Sequence, residues 1–209
     1  MSNHENAVMI SHHTHSDKLG AKMGMWLFLF TEVLLFGGMF LAYAVYRYKY
    51  SNDFHLAAME LNTTIGTINT IILLTSSLTM ALSIAFIQRS EKLLSILFVS
   101  STILLAFIFL INKYFEWSAK IEHGIFPRSQ ELLDRPNGQI LFFGLYYVMT
   151  GLHALHVIIG MIILSFMLIF LIKNKITSEN YVKLENSGLY WHLVDLIWIF
   201  LFPLFYLIQ

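Results

Sequence analysis

Five long stretches of apolar residues constrain the fold of this chain more than any other feature of its sequence. A helix needs about 20 apolar residues to cross the roughly 30 Å of hydrocarbon in a bilayer, and each stretch is long enough. A barrel strand would need only about 9–11 residues of alternating polarity, a pattern that these stretches lack. The sequence therefore predicts an all-α membrane protein with five transmembrane helices. The predicted spans are Met23–Tyr46, Leu61–Gln88, Leu93–Asn112, Asn137–Ile172 and Asn186–Gln209.

The overall composition agrees with a membrane setting and excludes several kinds of site. Hydrophobic residues make up 57% of the 209 residues and charged residues only 12%, whereas soluble domains average about 25% charged residues. The 13 basic and 13 acidic residues balance, so nothing indicates a nucleic-acid partner. The absence of cysteine excludes disulfides, thiolate metal sites and iron–sulfur clusters.

The chain divides into a short polar tail and one transmembrane domain. Residues 1–21 form a polar tail that contains four histidines and has no apolar core of a signal peptide. Residues 22–209 form the five-helix domain, whose longest connection is Lys113–Pro136. That connection holds four basic and four acidic residues and predicts an ordered cap outside the bilayer. Among the short connections, basic residues are more numerous on the membrane side that holds the N-terminus. This distribution predicts a cytoplasmic N-terminus.

Glu32 is the single charged residue of the first predicted span. It lies nine residues into that span, about 14 Å along the helix axis and therefore near the middle of the bilayer. An ionisable group at this depth costs several kcal/mol unless it has a partner or faces water, so it is a candidate functional residue. Two interpretations stay open. Glu32 is either a packing residue hydrogen-bonded to a neighbouring helix, such as the Thr- and Ser-rich second span, or a residue of a proton or gas pathway at a subunit interface.

Three histidines and a second carboxylate also lie within the predicted spans. His153 and His156 are three residues apart and share one face of their helix. His192 and Asp195 have the same spacing, which suits an imidazole oriented by a carboxylate. Measured from one membrane side, His192 is about 9 Å deep and His156 about 24 Å deep, a mismatch that argues against two histidines ligating one haem. We therefore predict no metal site in this chain.

Small residues predict close packing between helices. Gly37 and Gly38, with Ala42 beyond them, allow another helix to approach the first span. Hydroxyl side chains in the second span are typical of hydrogen bonds that join transmembrane helices. These hydroxyl residues are Thr67, Thr70, Thr75, Ser76, Ser77, Thr79 and Ser83.

Four segments, read in order, resemble subunit III of the haem-copper terminal oxidases, which include cytochrome c oxidases and quinol oxidases. The resemblance covers residues 22–209 and is most specific in the third and fourth segments. The chain starts with the helix that carries Glu32, so it is similar to the short five-helix form found in bacteria, without the two leading helices of seven-helix forms. The segments are MGMWLFLFTEVLLFGGMFLAYAVYRY from Met23, YFEW from Tyr114, GLYYVMTGLHALHVIIG from Gly144 and WHLVDLIWIFLFPLFYL from Trp191.

The resemblance implies a non-catalytic subunit of a proton-pumping complex that reduces oxygen to water. Such a subunit carries no haem or copper of its own, because both lie in partner subunits. It docks on subunit I beside subunit II and other chains, in the inner membrane of a bacterium. Its helices form two groups around a V-shaped cleft that holds phospholipid, and it supports proton uptake.

The resemblance also implies roles for individual residues. Glu32 would be the buried carboxylate near the interface with subunit I. Six other residues would line the lipid cleft or serve as structural polar groups. These are Glu116, His153, His156, Trp191, His192 and Asp195.

Three other interpretations remain open at this point. One is a membrane anchor that binds haem b and quinone, with His153 or His156 and His192 as ligands. A second is a small transporter that uses Glu32 and Asp195, although the sequence shows no inverted repeat. A third is a subunit III-like protein associated with nitric oxide reductase. The electron donor, cytochrome c or quinol, would be decided by other subunits.

Overall fold

The computed structural model describes the backbone of residues 2–208 and the side chains of residues 20–208. Side chains of the predicted polar tail up to residue 19 lie outside the described residues. Helices provide all the regular elements of the described chain. In order they are α1 Ser2–Lys49, α2 Ser51–Met59, α3 Thr63–Gln88, α4 Lys92–Glu122, α5 Gln130–Leu133, α6 Asn137–Ile172 and α7 Val182–Tyr206.

Five of these helices are long and apolar enough to cross a membrane, which confirms the predicted number of spans. The candidate spans are Gly20–Lys49, Thr63–Gln88, Lys92–Glu122, Asn137–Ile172 and Val182–Tyr206. Helix α6 has 36 residues, about 54 Å of helix, and so exceeds the thickness of the hydrocarbon layer. It therefore tilts or extends beyond the bilayer.

Among the candidate membrane spans, helix α4 differs most from the prediction, because it continues through Lys113 and Glu116 to end at Glu122. The sequence-based span ends at Asn112, where the first charged side chain interrupts the apolar run. In the structure the Lys113 ammonium and the Glu116 carboxylate are 3.0 Å apart on one helix face. Each charge compensates the other, so the helix continues inside the bundle. The predicted cap is correspondingly shorter and contains the one-turn helix α5.

The membrane helices pack as a four-helix group with α1 on its outside. Helices α3 and α4 form a hairpin, α7 packs against α3 and α6, and α6 closes the group against α4. The hairpin turn places Ser90 at φ 64°, and the side chain of Asn62 caps the start of α3 by accepting from the Ile65 amide at 3.2 Å. Helix α1 contacts only α6, α7 and the short α2 among the described elements.

Two glycines allow the helices of the four-helix group to approach closely. A Cβ atom on Gly66 of α3 would come within 2.8 Å of the Tyr206 ring, and one on Gly160 of α6 within 2.8 Å of the Trp191 ring. Both aromatic rings are fully buried. Helix α7 therefore carries large side chains that fill the space left by small residues on α3 and α6.

Candidate functional site

A groove of about 440 Å³ separates α1 from α6 and α7 on the side of the bundle nearest the N-terminal half of α7. Its walls are mainly apolar and come from Met25 and Phe28 of α1, Ile159 and Ile163 of α6, and Tyr190 of α7. Two ionisable side chains lie in this apolar lining, Glu32 and His156. The groove therefore brings together two of the residues that the sequence singled out separately.

Glu32 and His156 form an ion pair or a neutral hydrogen-bonded pair at 2.9 Å between Oε2 and Nε2. The other ring nitrogen, Nδ1, donates to the carbonyl oxygen of Leu152 at 2.8 Å, because a carbonyl oxygen can only accept. The contact between Glu32 and Nε2 therefore contains one proton, which belongs either to the carboxylic acid or to the imidazolium. In both forms the pair is neutral overall, which suits its position inside a membrane span.

Neighbouring side chains hold the imidazole in place. The ring of Phe36 meets the His156 ring edge-on with centroids 5.5 Å apart, and the Tyr190 hydroxyl donates to the His156 carbonyl oxygen at 3.1 Å. Side-chain exposure is 15% for Glu32 and 10% for His156, so the pair is reachable from the groove. The suggested hydrogen bond between Glu32 and the hydroxyl residues of the second span is wrong, because α1 does not pack against α3.

The end of the groove on the side of the polar tail, its mouth, is flanked by two contacts between α1 and α7. Lys22 of α1 forms an ion pair with Glu185 of α7 at 3.0 Å, and the Asn186 amide donates to the Ala21 carbonyl oxygen at 3.3 Å. Asn186 and Ser187 also line the groove. This mouth lies on the same membrane side as the start of α7, the side of the polar tail.

A seam of hydrogen bonds joins α3 to α7. The indole of Trp191 donates to the Ser76 hydroxyl at 3.1 Å, and that of Trp198 to the Thr70 hydroxyl at 3.0 Å. His192 Nδ1 lies 2.7 Å from the Ser77 hydroxyl. Thr70, Ser76 and Ser77 therefore act as helix-packing groups, whereas Thr67 and Thr75 donate to carbonyl oxygens of their own helix.

His192 and Asp195 do not form the oriented pair that their spacing suggested. The Nδ1 atom of His192 is hydrogen-bonded to the hydroxyl of Ser77. Asp195 is 3% exposed, and its carboxylate lies beside the same Ser77 hydroxyl. Its position in the seam is that of a buried polar side chain rather than an imidazole partner.

His153 lies apart from the other histidines. It is fully buried between the rings of Phe109 and Trp198, with centroids 5.7 and 5.2 Å away. Because His156 faces Glu32 and His192 faces Ser77, the three imidazoles point to three different neighbours. The described residues contain no group of three or more His, Asp or Glu side chains that converge as metal ligands.

A buried ionic cluster around Glu116 was only partly found from the sequence. Glu116 accepts from the hydroxyls of Tyr146 at 2.8 Å and Tyr206 at 2.6 Å, and from Lys113 at 3.0 Å. The Lys113 ammonium also contacts both tyrosine hydroxyls and lies 5.3 Å from the Trp198 ring centre. Glu116 was singled out, but Lys113 was assigned to the cap. The spacing of opposite charges by three residues, between apolar neighbours, is the pattern that would have revealed the pair.

Comparison with known proteins gives consistent matches along the chain. The profile of the family described as cytochrome c oxidase subunit III matches residues 3–209. The chain is 34% identical over 207 residues to cytochrome c oxidase subunit 3 of Allomyces macrogynus, covering 91% of this chain and 67% of the relative. It is 28% identical over 197 residues to the probable quinol oxidase subunit 3 of Staphylococcus haemolyticus, covering 93% and 92%.

A third relative carries two subunit names in one protein. The chain is 31% identical over 193 residues to the heme-copper oxidase subunit I+III of Aeropyrum pernix, and this match covers 90% of the chain. It spans only 22% of that relative's length. The region of similarity is therefore one part of a much longer polypeptide.

Proposed function

Because the chain belongs to the cytochrome c oxidase subunit III family, we propose that it works as the accessory subunit of a bacterial respiratory oxidase that reduces oxygen to water. In this role it docks on subunit I, stabilises it, holds phospholipid and supports proton uptake. The haem and copper centres belong to partner subunits. The observation that carries the proposal is the Glu32–His156 pair on an apolar groove inside the membrane span.

The one-proton pair supports a role in proton handling. A proton can shift between Glu32 and His156 along a 2.9 Å contact without changing the net charge of the pair. The pair is also partly exposed to the groove, whose mouth lies beside the ion pair of Lys22 and Glu185. In this proposal the Glu32–His156 pair exchanges protons through the mouth of the groove. A proton held on the pair is then close to the surface of a neighbouring subunit.

The apolar walls of the groove support lipid binding. An acyl chain fits between Met25 and Phe28 on one side and Ile159 and Ile163 on the other. We assign the lipid role to the residues of this groove, including His156. The remaining polar residues, His153, Trp191, His192, Asp195 and Glu116, are assigned structural roles because they are buried or hydrogen-bonded between helices.

The outward face of α1 supports docking against subunit I. Trp26, Leu27 and Phe30 are each at least 60% exposed, and a Cβ atom on Gly37 or Gly38 would meet nothing within 4 Å. Small residues of this kind let a second transmembrane helix approach closely. The A. pernix relative named subunit I+III supports an adjacent position for the two subunits. The basic short connections on the tail side support a cytoplasmic N-terminus.

The first experiment tests the assembly. We expect the complex purified through this chain in mild detergent to contain a larger haem- and copper-containing subunit and a subunit II. The isolated polypeptide is expected to have no Soret absorbance. A stoichiometric Soret band on the isolated chain would contradict the proposal and would favour a haem-binding anchor. A copper-A domain on subunit II would identify cytochrome c as the electron donor.

The second experiment tests the Glu32–His156 pair through Glu32→Gln, which removes the proton-exchanging group and keeps the size of the side chain. We expect normal assembly and initial oxygen reduction but slower proton uptake and earlier loss of activity during turnover, measured in reconstituted vesicles. The control is Glu91→Gln, an exposed residue at the turn before α4, which should behave as wild type. If Glu32→Gln abolished assembly, Glu32 would be a packing residue instead.

A further inference from the structure

The seam between α3 and α7 brings three polar side chains together inside the membrane span. They are Ser77 of α3 and His192 and Asp195 of α7. The two helices approach closely here, since a Cβ atom on Gly188 of α7 would come within 2.6 Å of the Ile84 side chain of α3. His192 and Asp195 lie 10 and 13 residues after the start of α7 at Val182, about 15 and 20 Å along the helix axis. The group therefore lies deep in the span.

The Ser77 hydroxyl occupies the centre of this group. Its oxygen lies 2.7 Å from Nδ1 of His192, and the Asp195 carboxyl lies beside the same hydroxyl. Asp195 is buried, whereas Ser77 and His192 are half-buried. The three side chains therefore lead from the interior of the bundle toward its surface, and Asp195 is connected to His192 through Ser77 and not directly.

The group stands apart from the other ionisable side chains on the helices that pack against α7. Within the part of the chain that the structure describes, no ion pair within 4.0 Å involves its carboxyl or its imidazole. Helix α3 contains no Asp, Glu, Lys, Arg or His. His156 of α6 faces Glu32 of α1, while His153 lies between aromatic rings. The two ionisable residues of α2, Asp53 and His55, contact the start of α6 and a carbonyl oxygen beyond the end of α7.

Without a cation beside the carboxyl, a neutral arrangement of the three side chains is favoured. An ionised carboxylate inside a membrane span is strongly unfavourable unless it is paired or faces water. As a carboxylic acid, Asp195 has one O–H donor for the Ser77 oxygen. The Ser77 hydroxyl then donates to Nδ1 of His192, and the imidazole carries its own proton on Nε2. In this order each of the two contacts has one donor and one acceptor.

We propose that Asp195, Ser77 and His192 form a proton relay, in which Asp195 stores one proton that passes reversibly through Ser77 to His192. The O–H bond of Asp195 breaks as the Ser77 oxygen takes up that proton, while the hydroxyl proton of Ser77 moves to Nδ1 of His192. The transfer leaves a carboxylate and an imidazolium, keeps the net charge and needs no other reactant. The relay is separate from the groove beside Glu32. Its failure would leave the proposed accessory function untouched, since the relay does not depend on assembly with an oxidase.

The first test locates the protons in the full chain, reconstituted in lipid bilayers. The infrared difference between wild type and Asp195→Asn should show the loss of a protonated carboxyl band. Ser77→Ala should shift that band, because the carboxyl loses its acceptor. It should also remove the preference of His192 for a proton on Nε2, measured by NMR of nitrogen-labelled histidine. Asp195→Asn should keep this preference, because the amide still donates to Ser77.

Thr75→Ala is the matched control, since Thr75 is an exposed hydroxyl residue of the same helix that donates to the Ile71 carbonyl oxygen at 2.8 Å. It should change neither the carboxyl band nor the tautomer of His192. The proposal is overturned if Asp195→Asn removes no protonated carboxyl band, or if Ser77→Ala leaves both the band and the tautomer as in wild type.

Exchange of the Asp195 proton for deuterium tests the transfer itself. After transfer to heavy water, the carboxyl band of Asp195 should shift more slowly in Ser77→Ala and His192→Phe than in wild type, because each variant breaks the path from the buried carboxyl to the half-buried imidazole. Thr75→Ala should exchange at the rate of wild type. Equal exchange in all four proteins would mean that the side chains are hydrogen-bonded without passing a proton, and would overturn the relay.

Discussion

Two pairs of ionisable side chains lie within the membrane spans, and their surroundings give them different capacities. Lys113 and Glu116 have side-chain exposures of 3% and 4%, and two tyrosine hydroxyls complete the coordination of the carboxylate. Glu32 and His156 are more exposed and share a single contact at the edge of a groove. The first pair is therefore enclosed by its partners, whereas the second lies open to the groove.

At the Lys113–Glu116 pair we expect strongly non-additive effects on stability. Lys113→Met or Glu116→Gln alone leaves an uncompensated buried charge and should cost about 3–5 kcal/mol, the range for breaking buried ion pairs. The double variant should cost clearly less than the sum of the two, because both charges are gone. The measurement is a double-mutant cycle of unfolding by denaturant in detergent.

The control for this cycle is the Lys22–Glu185 pair, whose side chains are 43% and 30% exposed. Exposed pairs contribute about 0–1 kcal/mol, so Lys22→Met should have a small effect. A cost below about 1 kcal/mol for Lys113→Met would show that the buried ammonium is compensated in another way.

At the scale of helices, glycine positions decide how closely the elements pack. Gly160→Ala places a methyl group about 2.8 Å from the Trp191 ring, and overpacking of this kind typically costs about 1–3 kcal/mol. Gly37→Ala introduces the same methyl group where nothing lies within 4 Å. We expect Gly160→Ala to lower the thermal unfolding midpoint of the isolated chain and Gly37→Ala to leave it unchanged or raise it. Equal effects would mean that α6 and α7 separate easily enough to absorb the methyl group.

The sequence predicted the helices well where the apolar pattern is uninterrupted. Helix α6 has the predicted bounds of Asn137–Ile172, because no charged residue obscures its length. Helix α4 was predicted to end ten residues too early, at Asn112 rather than Glu122. A hydropathy pattern treats Lys113 and Glu116 as separate penalties, whereas the folded helix places them on one face where they neutralise each other.

The pairing of site residues was harder to predict than the residues themselves. Glu32 and His156 were both singled out, yet 124 positions separate them, and only the packing of α1 on α6 brings them together. Local spacing was a poor guide, since His192 contacts Ser77 of another helix rather than Asp195. Spacing along one helix reports a shared face, but the neighbouring helix determines which side chain is bonded.

At the scale of the whole molecule, α1 is the helix that the chain itself covers least. It contacts α6, α7 and α2 on one side, while its other side exposes a broad apolar surface that includes Trp26 and Phe30. The buried core takes Phe36 and Tyr43 from the inner side of α1, so the exposed side is not part of that core. Within a complex, α1 is therefore available both to complete the groove beside Glu32 and to contact a partner helix.

Gly38→Leu tests whether this face of α1 is the docking surface. A Cβ atom added at this position meets nothing within 4 Å, and we expect the isolated protein to keep its unfolding midpoint. A helix that packs closely against Gly38 would be pushed away, and we expect the haem-containing subunit to be recovered in much lower yield when the complex is purified through this chain. Gly144→Leu on α6, where a Cβ atom also meets nothing within 4 Å, is the matched control. Full recovery with Gly38→Leu, or equal loss with both variants, would place the interface elsewhere, because only a contact specific to α1 distinguishes the two glycines.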